Sequence, residues 1–368
     1  MISQDLSAQR ISQLQKMMVE NEVGLVAIGP TPNMQYLLGF VPFPDERACV
    51  LLISRENIQI VIPGLNANQF EAQIDMKGIR WTDAAGPRLA MQEALNLLGI
   101  QPGVVMAADD TMRADVLLLL QDMAKPHASI AAGSLMLSLR SKKSEIEVQA
   151  LCLAAAQADE ALLVGVDACR PGVTEREVAD KIANYFRSHG AEVVDFTLVA
   201  SGPNGAYPHH QFSDRILQVG DFVILDIGAT LNGYHSDVTR MVHLGEPSEE
   251  ERAILNIALE ANKQGRKAIK PGARACDIDH ATRSVIEKAG YGPNFFHRTG
   301  HGIGLEVHEA PWITPANETI LEPGMAFSVE PGIYLPDRLG VRIEDIVIVT
   351  KEGYHCLTGV DHELFVMR

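Results

Sequence analysis

The sequence predicts two domains: a leading α/β domain over residues 1–135 and a larger α+β domain over residues 136–368, the second containing an internal duplication of a helix pair followed by strands. Three observations carry this reading. With 368 residues the chain is too long for one ordinary hydrophobic core. Its first third alternates helical and strand periodicities. The remainder repeats its punctuation at an offset of 100 residues, Pro171-Gly172 returning as Pro271-Gly272 and Gly190 as Gly290.

In chain order, residues 6–22 place apolar side chains at helical spacing, 24–28 form a buried apolar run, and 48–54 with 58–63 read as a strand pair. Helical stretches at 88–98 and 112–123 flank a strand-like 104–108. Between residues 127 and 141 the pattern loosens into Ala, Gly and Ser before the basic Arg140-Ser-Lys-Lys, which places the domain boundary there. Ser144 with Glu147 forms a capping box that opens an Ala/Leu-rich helix to about residue 168, and Thr174 with Glu177 opens the next. Ser248 with Glu251 starts the corresponding helix of the second half, which Lys270-Pro-Gly ends. Each half then runs into strands. The first half's strands carry Asp226 and Asp237, the second's Glu330 and Glu344, so two acids from each half would meet across a pseudo-two-fold axis.

Composition narrows the class of partner. Apolar residues make up 46% and charged residues 21%, as in a soluble globular protein. The 47 acids against 31 bases, a formal −16, argue against nucleic acid or an anionic membrane surface. Five cysteines, at 49, 152, 169, 276 and 356, are odd in number and contain no Cys-x-x-Cys pair, which fits a reducing cytoplasm better than a disulfide framework. The N-terminus is polar, without the apolar core of a signal peptide, and no apolar run approaches the ~20 residues needed to span a bilayer.

The chemistry centres on residues 299–309, Thr-Gly-His-Gly-Ile-Gly-Leu-Glu-Val-His-Glu. Its glycines allow close backbone approach, and His301 and His308 offer imidazoles for a metal or a proton. Around it, Asp226 ends the apolar run Phe222-Val-Ile-Leu, and Asp237 follows the hairpin-like Leu231-Asn-Gly-Tyr. Glu330 ends Ala326-Phe-Ser-Val, and in the strand-like 341–349 a two-residue period puts Arg342 and Glu344 on one face. Burying four carboxylates without cations would be prohibitive, so the set reads as a metal site. One imidazole with four carboxylates suits Mn²⁺, Co²⁺, Fe²⁺ or Zn²⁺. Two such ions ~3.5 to 4 Å apart would share bridging carboxylates and a hydroxide nucleophile. His209, His210, His297 and His308 are candidate donors to a tetrahedral intermediate, and Arg342 orients a carboxylate or binds an anionic part of the substrate. No Gly-x-Ser-x-Gly elbow supports serine catalysis.

Leu225-Asp-Ile-Gly-Ala, His235-Ser-Asp-Val-Thr-Arg, residues 299–309, Val329-Glu-Pro-Gly-Ile-Tyr and Val341-Arg-Ile-Glu-Asp together resemble the metallopeptidases of the prolidase, aminopeptidase P and methionine aminopeptidase superfamily. The resemblance implies a creatinase-like N-terminal α/β domain and a pita-bread catalytic domain with a duplicated core and a dinuclear site. Asp226, Asp237, His301, Glu330 and Glu344 match its metal ligands, with Asp237 and Glu344 bridging and Glu330 acting as base and then acid beside the nucleophilic water. His209 matches the histidine near the scissile bond, His308 the one that stabilises the gem-diolate and His297 an auxiliary pocket histidine, while Tyr334 and Arg342 match positions that support the ligands. The complete ligand set counts against the metal-free relatives, creatinase and the chaperone-type domains. Implied further are two divalent ions, Mn²⁺ before Co²⁺, Zn²⁺ or Fe²⁺, short proline-containing peptides as substrates, and a cytoplasmic homodimer. Trp312 stands where some prolidases carry the arginine that binds a dipeptide's carboxylate, which leaves dipeptidase and aminopeptidase activity both open. The rival readings are a small-metabolite hydrolase or lyase on the same scaffold, ectoine-hydrolase-like or a sulfonium lyase, and a binding module without chemistry.

Overall fold

A computed structural model describes residues 3–368, which divide into two compact units between Arg140 and Ser141. In the first unit α1 (Gln4–Glu20) is capped by Ser3, whose side chain accepts from the Leu6 N–H. Six strands follow, β1 (Leu25–Ile28), β2 (Val50–Ile53), β3 (Ile58–Pro63), β4 (Ile79–Trp81), β5 (Val105–Ala108) and β6 (Ala128–Ala131), in the sheet order β4-β3-β2-β1-β5-β6. Pairing is antiparallel from β1 through β3 and parallel at β3–β4, β1–β5 and β5–β6. Helices α2 (Pro32–Leu38), α3 (Gly64–Gln73), α4 (Arg88–Leu97), α5 (Ala114–Ala124) and α6 (Gly133–Ser141) supply its connections. Met91, Ala94, Leu95, Val116 and Leu120 from α4 and α5 pack on Leu25, Val50, Val61 and Met106 of the sheet. The loosened stretch after residue 127 holds β6 and α6: its small residues weaken the periodicity, but parallel pairing with β5 forms the strand nonetheless.

The second unit repeats itself. Helices α7 (Glu145–Ala168) and α8 (Glu175–Ser188) are followed by β7 (Val193–Ser201), β8 (Phe222–Leu231), β9 (Tyr234–His235) and β10 (Val238–Leu244). Helices α9 (Glu249–Ala268) and α10 (Ala275–Lys288) are followed by β11 (Gly300–Gly302), β12 (Glu309–Ile313), β13 (Ala326–Val329), β14 (Gly332–Leu335), β15 (Leu339–Arg342), β16 (Asp345–Val349), β17 (Tyr354–Cys356) and β18 (Phe365–Met367). All three capping boxes form. The turns match bond for bond: the Gly172 and Gly272 N–H groups donate to Leu217 and Leu321, whose own N–H groups return to Val173 and Ala273. Helix crossings match too. A Cβ on Gly165 would lie 2.7 Å from Ile182, and one on Gly265 would lie 2.1 Å from Thr282, so each helix pair closes on a glycine.

Two sheets result, β18-β10-β8-β7 with β9 on β8, and β12-β11-β13-β16-β17, beside the β14–β15 ribbon. Ala158, Leu162, Ile182 and Phe186 of the first helix pair cover Val199, Val223, Leu225 and Val242. Ile278 of α10 lies with Phe327, Val329 and Val347, each large side chain contributing about 2–3 kcal/mol of burial. Helix α7 is long and apolar enough to span a membrane by composition, but Leu151, Ala154, Ala158 and Leu162 are buried in the protein. The stretch 341–349 is not one strand as its alternation predicts. It breaks between β15 and β16, because the Ile343 N–H turns to the Pro331 carbonyl and the Glu344 N–H to that of Thr239.

Candidate metal centre

The hairpin brings the first two acids in. Asn232 and Gly233 adopt φ of 53° and 76°, the turn that Asn-Gly favours, and β10 returns along β8 with Thr239 opposite Asp226. Glu344 reaches the same strand through its bridge to Thr239, whose Oγ1 donates to Glu344 Oε2 at 2.7 Å. Behind Glu344 the fully buried Arg240 donates to its carbonyl at 2.6 Å and to Asp345 at 2.8 Å. Burial works against the Asp345 charge, but the His362 and Arg240 donors outweigh it and hold the carboxyl well below its usual range.

His301 lies on β11 between β12 and β13. This strand has no room for side chains at its neighbours: a Cβ on Gly302 would lie 2.1 Å from the Ala310 carbonyl oxygen. Gly302→Ala should therefore destabilise the protein by about 2–4 kcal/mol, read as a lower denaturation midpoint in urea. Midpoints within experimental error of each other would remove this account of the glycine. The segment before β11 is fastened to α10 by Arg283, which donates to the Phe295 and His297 carbonyls, and by Asp279, which accepts from Thr299 Oγ1 at 2.7 Å.

Eight polar side chains converge on the centre. Asp237, His301 and Glu344 offer ligand atoms that all lie within 4.8 Å of one another, and each residue is at most 4% exposed. Glu330 Oε1 stands 3.4 Å from His301 Nε2, and Asp237 Oδ2 stands 3.6 Å from it. Nδ1 of His301 meets the Gly302 carbonyl at 3.0 Å, a contact only an N–H can make, so Nε2 of the neutral ring presents its lone pair to the acids. Ser328 Oγ accepts from the His301 N–H and donates to Glu330 Oε1, fixing the two together. Asp226 accepts from Arg342, whose other amino group donates to Tyr334 Oη at 2.8 Å.

The electrostatics are those of a site built for cations. Asp226 Oδ1, Asp237 Oδ1 and Glu344 Oε1 are buried with no hydrogen-bond partner. Burial, and then the neighbouring carboxylates, push Asp237 and Glu344 well above the usual carboxyl range, and burial pushes Glu330 up to about 7. His301 is lowered to about 3 by burial and then by His308. Lone pairs aimed at one another with no proton or donor between them are stabilised by a divalent ion, so these residues fit the metal their chemistry implies.

Nine of the ten residues nominated for ligation or catalysis line one cavity of about 920 Å³, Asp226, Asp237, His301, Glu330, Glu344, His209, His297, His308 and Arg342, and His210 does not. His209 and His308 are its exposed members, and the His308 ring packs edge-on to His301 at 4.2 Å between centroids. His297 accepts from Tyr334 Oη at 3.0 Å while its Nδ1–H meets the Arg298 carbonyl, and burial lowers it to about 4. His210 turns away. Its Nε2 meets Glu175 at 2.9 Å, and Glu175, fully buried, also takes the Ser201 and Ser213 hydroxyls at 2.7 Å. Sequence reading missed Glu175, which ties down the loop that carries His209, and it missed Arg298, which lines the cavity. Arg298 adjoins His297 in the same polar run, and that adjacency was the available signal.

Comparison with known proteins identifies the family. Residues 149–351 match metallopeptidase family M24, and residues 10–122 match the creatinase/prolidase N-terminal domain. The chain is 39% identical over 354 residues to the probable dipeptidase PepE of Mycobacterium tuberculosis, covering 94% of this chain and 93% of that one. It is 33% identical over 363 residues to an Xaa-Pro dipeptidase of Pyrococcus horikoshii, covering 98% and 99%. The crystal structure of a prolidase from Thermococcus sibiricus superposes with a TM-score of 0.94 at 36% identity, covering 100% of both chains. The chain belongs to metallopeptidase family M24, with a creatinase/prolidase N-terminal domain ahead of its catalytic unit.

Proposed function

We propose that the protein hydrolyses the Xaa-Pro bond of short peptides with two divalent cations held by Asp226, Asp237, His301, Glu330 and Glu344. The observation that carries this is the set of three buried, unpartnered carboxylate oxygens in the cavity that receives the His301 lone pair. The relatives named as Xaa-Pro dipeptidases support the choice of bond. The oxygen-rich donor set favours Mn²⁺ over thiolate-seeking ions. Bound there, the cations would supply Lewis acidity and make a water easier to deprotonate near neutral pH.

The residues do the rest. Glu330 takes a proton from the attacking water at a carboxylate oxygen and passes it to the departing nitrogen. That nitrogen has no hydrogen of its own in a prolyl amide, so the delivered proton lets it leave as a secondary amine. His308, lowered by burial and then by Arg298, is neutral near pH 7 and donates an N–H to the oxygen of the tetrahedral intermediate. His209, which lines the same cavity, acts as a further donor to the substrate. Arg342 holds Asp226 and Tyr334 in place.

The test is turnover of an Xaa-Pro dipeptide, an Xaa-Pro-Yaa tripeptide and an Xaa-Ala control after metal removal and add-back of Mn²⁺, Co²⁺ or Zn²⁺. Cleavage of a proline substrate at least about 100-fold faster than the Xaa-Ala control is expected. Stoichiometric metal binding without cleavage of any of them would refute the reading and favour a small-metabolite hydrolase or lyase.

A further inference from the structure

Of the twenty arginines in the sequence, nineteen donate a hydrogen bond from the guanidinium within the chain. The exception among the described residues is Arg298, which also meets no carboxylate, although it lines a cavity that contains five acids. Its guanidinium lies over the Trp312 ring, 4.7 Å from the centroid. Arg298 lies two residues before β11, and the Thr299 N–H donates to the Ile313 carbonyl next to Trp312 on β12, which brings the two segments together.

A guanidinium stacked on an indole has one face covered and its edge of N–H donors free. That edge is the part that grips a carboxylate with two parallel hydrogen bonds. The other arginine of the cavity, Arg342, is already engaged by Asp226 and Tyr334, so it offers an incoming anion no free fork. Arg298 lines the same cavity as His301, His308 and Glu330. In an Xaa-Pro dipeptide the carboxylate sits one residue beyond the scissile nitrogen, within roughly 3.5 Å of chain length. A cation lining the same cavity as the metal-site residues is placed for such a short span, and it would meet no charge at the same position in a longer peptide.

We propose that Arg298, held on Trp312, is the receptor for the free carboxylate of a dipeptide substrate and sets the enzyme's preference for dipeptides over longer chains. This rests on the Xaa-Pro peptidase reading and adds to it the residue that selects substrate length.

The test compares alanyl-proline with alanyl-prolinamide, equal in size but neutral at the end, on the metal-loaded wild type, Arg298→Gln and Arg298→Lys. In the wild type kcat/KM for the acid should exceed that for the amide by about 50-fold, the effect of one charged, bidentate contact. Arg298→Gln should collapse that ratio to near one, chiefly through KM, and Arg298→Lys should restore part of it. A ratio unchanged in Arg298→Gln, with both rates lowered together, would make the residue structural and overturn the proposal. Calorimetry with proline and prolinamide gives a readout independent of turnover. If the wild type cleaves neither substrate, the peptidase reading fails, and the assignment is decided here. Proline binding about tenfold more weakly to Arg298→Gln than to wild type, with prolinamide unaffected, upholds it, and equal proline affinities overturn it.

Discussion

Glu344→Gln is expected to remove one cation per chain and to lower kcat/KM by about 10³-fold or more, because it withdraws a negative charge from the point where two cations would be shared. Glu344 Oε2 is committed to Thr239, whereas Oε1 is buried and unpartnered, so Oε1 is the atom left for a cation. The amide keeps the shape and keeps an acceptor for Thr239, yet it offers a neutral oxygen or an N–H₂ in place of the anionic one. The same change removes a buried charge that faces Glu330 and Asp226. The metal-free variant should therefore melt above the metal-free wild type even as its activity disappears. Metal content by mass spectrometry, turnover and melting temperature separate these effects. Two tightly held cations per variant chain, with turnover near wild type, would show that Glu344 is not a ligand.

Metal-free protein should lose stability between pH 6.5 and pH 8.5, and divalent cations should abolish that loss. Glu330 is raised to about 7 in the folded chain, and Asp237 and Glu344 stand well above their ordinary values, all chiefly by burial. In the unfolded chain such carboxyls titrate near 4, so above pH 6.5 the folded state binds more protons than the unfolded state. Stability then falls as pH rises. Below pH 6.5 an opposite contribution intervenes: His301 and His297, lowered to about 3 and about 4, take up protons on unfolding and make stability rise with pH. Above pH 6.5 the opposing contribution fades as the unfolded-state imidazoles, which titrate near 6.5, lose their protons, and the carboxylates dominate. The loss should be on the order of 3 kcal/mol, which for a unit of this size is roughly 5–10 °C in melting temperature. Cations expel the protons and bind only the folded site, so the melting temperature with saturating Mn²⁺ should be higher and flat across the window. A metal-free melting temperature that rises with pH there, or fails to respond to Mn²⁺, would contradict the clustering of unneutralised acids.

Much of this was legible before any coordinates. Capping boxes are local, with both partners three residues apart, so Ser144, Thr174 and Ser248 could be read as helix starts from the chain alone. Asn232-Gly233 encodes its own left-handed backbone and with it the return of β10 along β8. The acids stood out because carboxylates at the ends of apolar runs conflict with burial. What escaped was set by distant partners. Glu175 looks like an ordinary first-turn acid, and only folding brings Ser201, His210 and Ser213 to it. The break between β15 and β16 depends on carbonyls of Pro331 and Thr239, whereas alternation over 341–349 is the same whether or not the strand is interrupted. Arg298 was passed over because its lack of a partner is a property of space, invisible in a list of residues.

The repeated architecture of the second unit places Asp226 and Asp237 after the first helix pair and His301, Glu330 and Glu344 after the second. Neither half owns the centre. A chain emerging from the ribosome would hold two acids of the proposed ligand set and no ligating imidazole until the second half had docked, and a proteolytic cut in the connection around residue 247 would leave fragments joined by ions as well as by packing. The cations then act as a clasp whose strength is set by free-metal concentration, so metal starvation would loosen the molecule along the seam between its two halves as well as silence it.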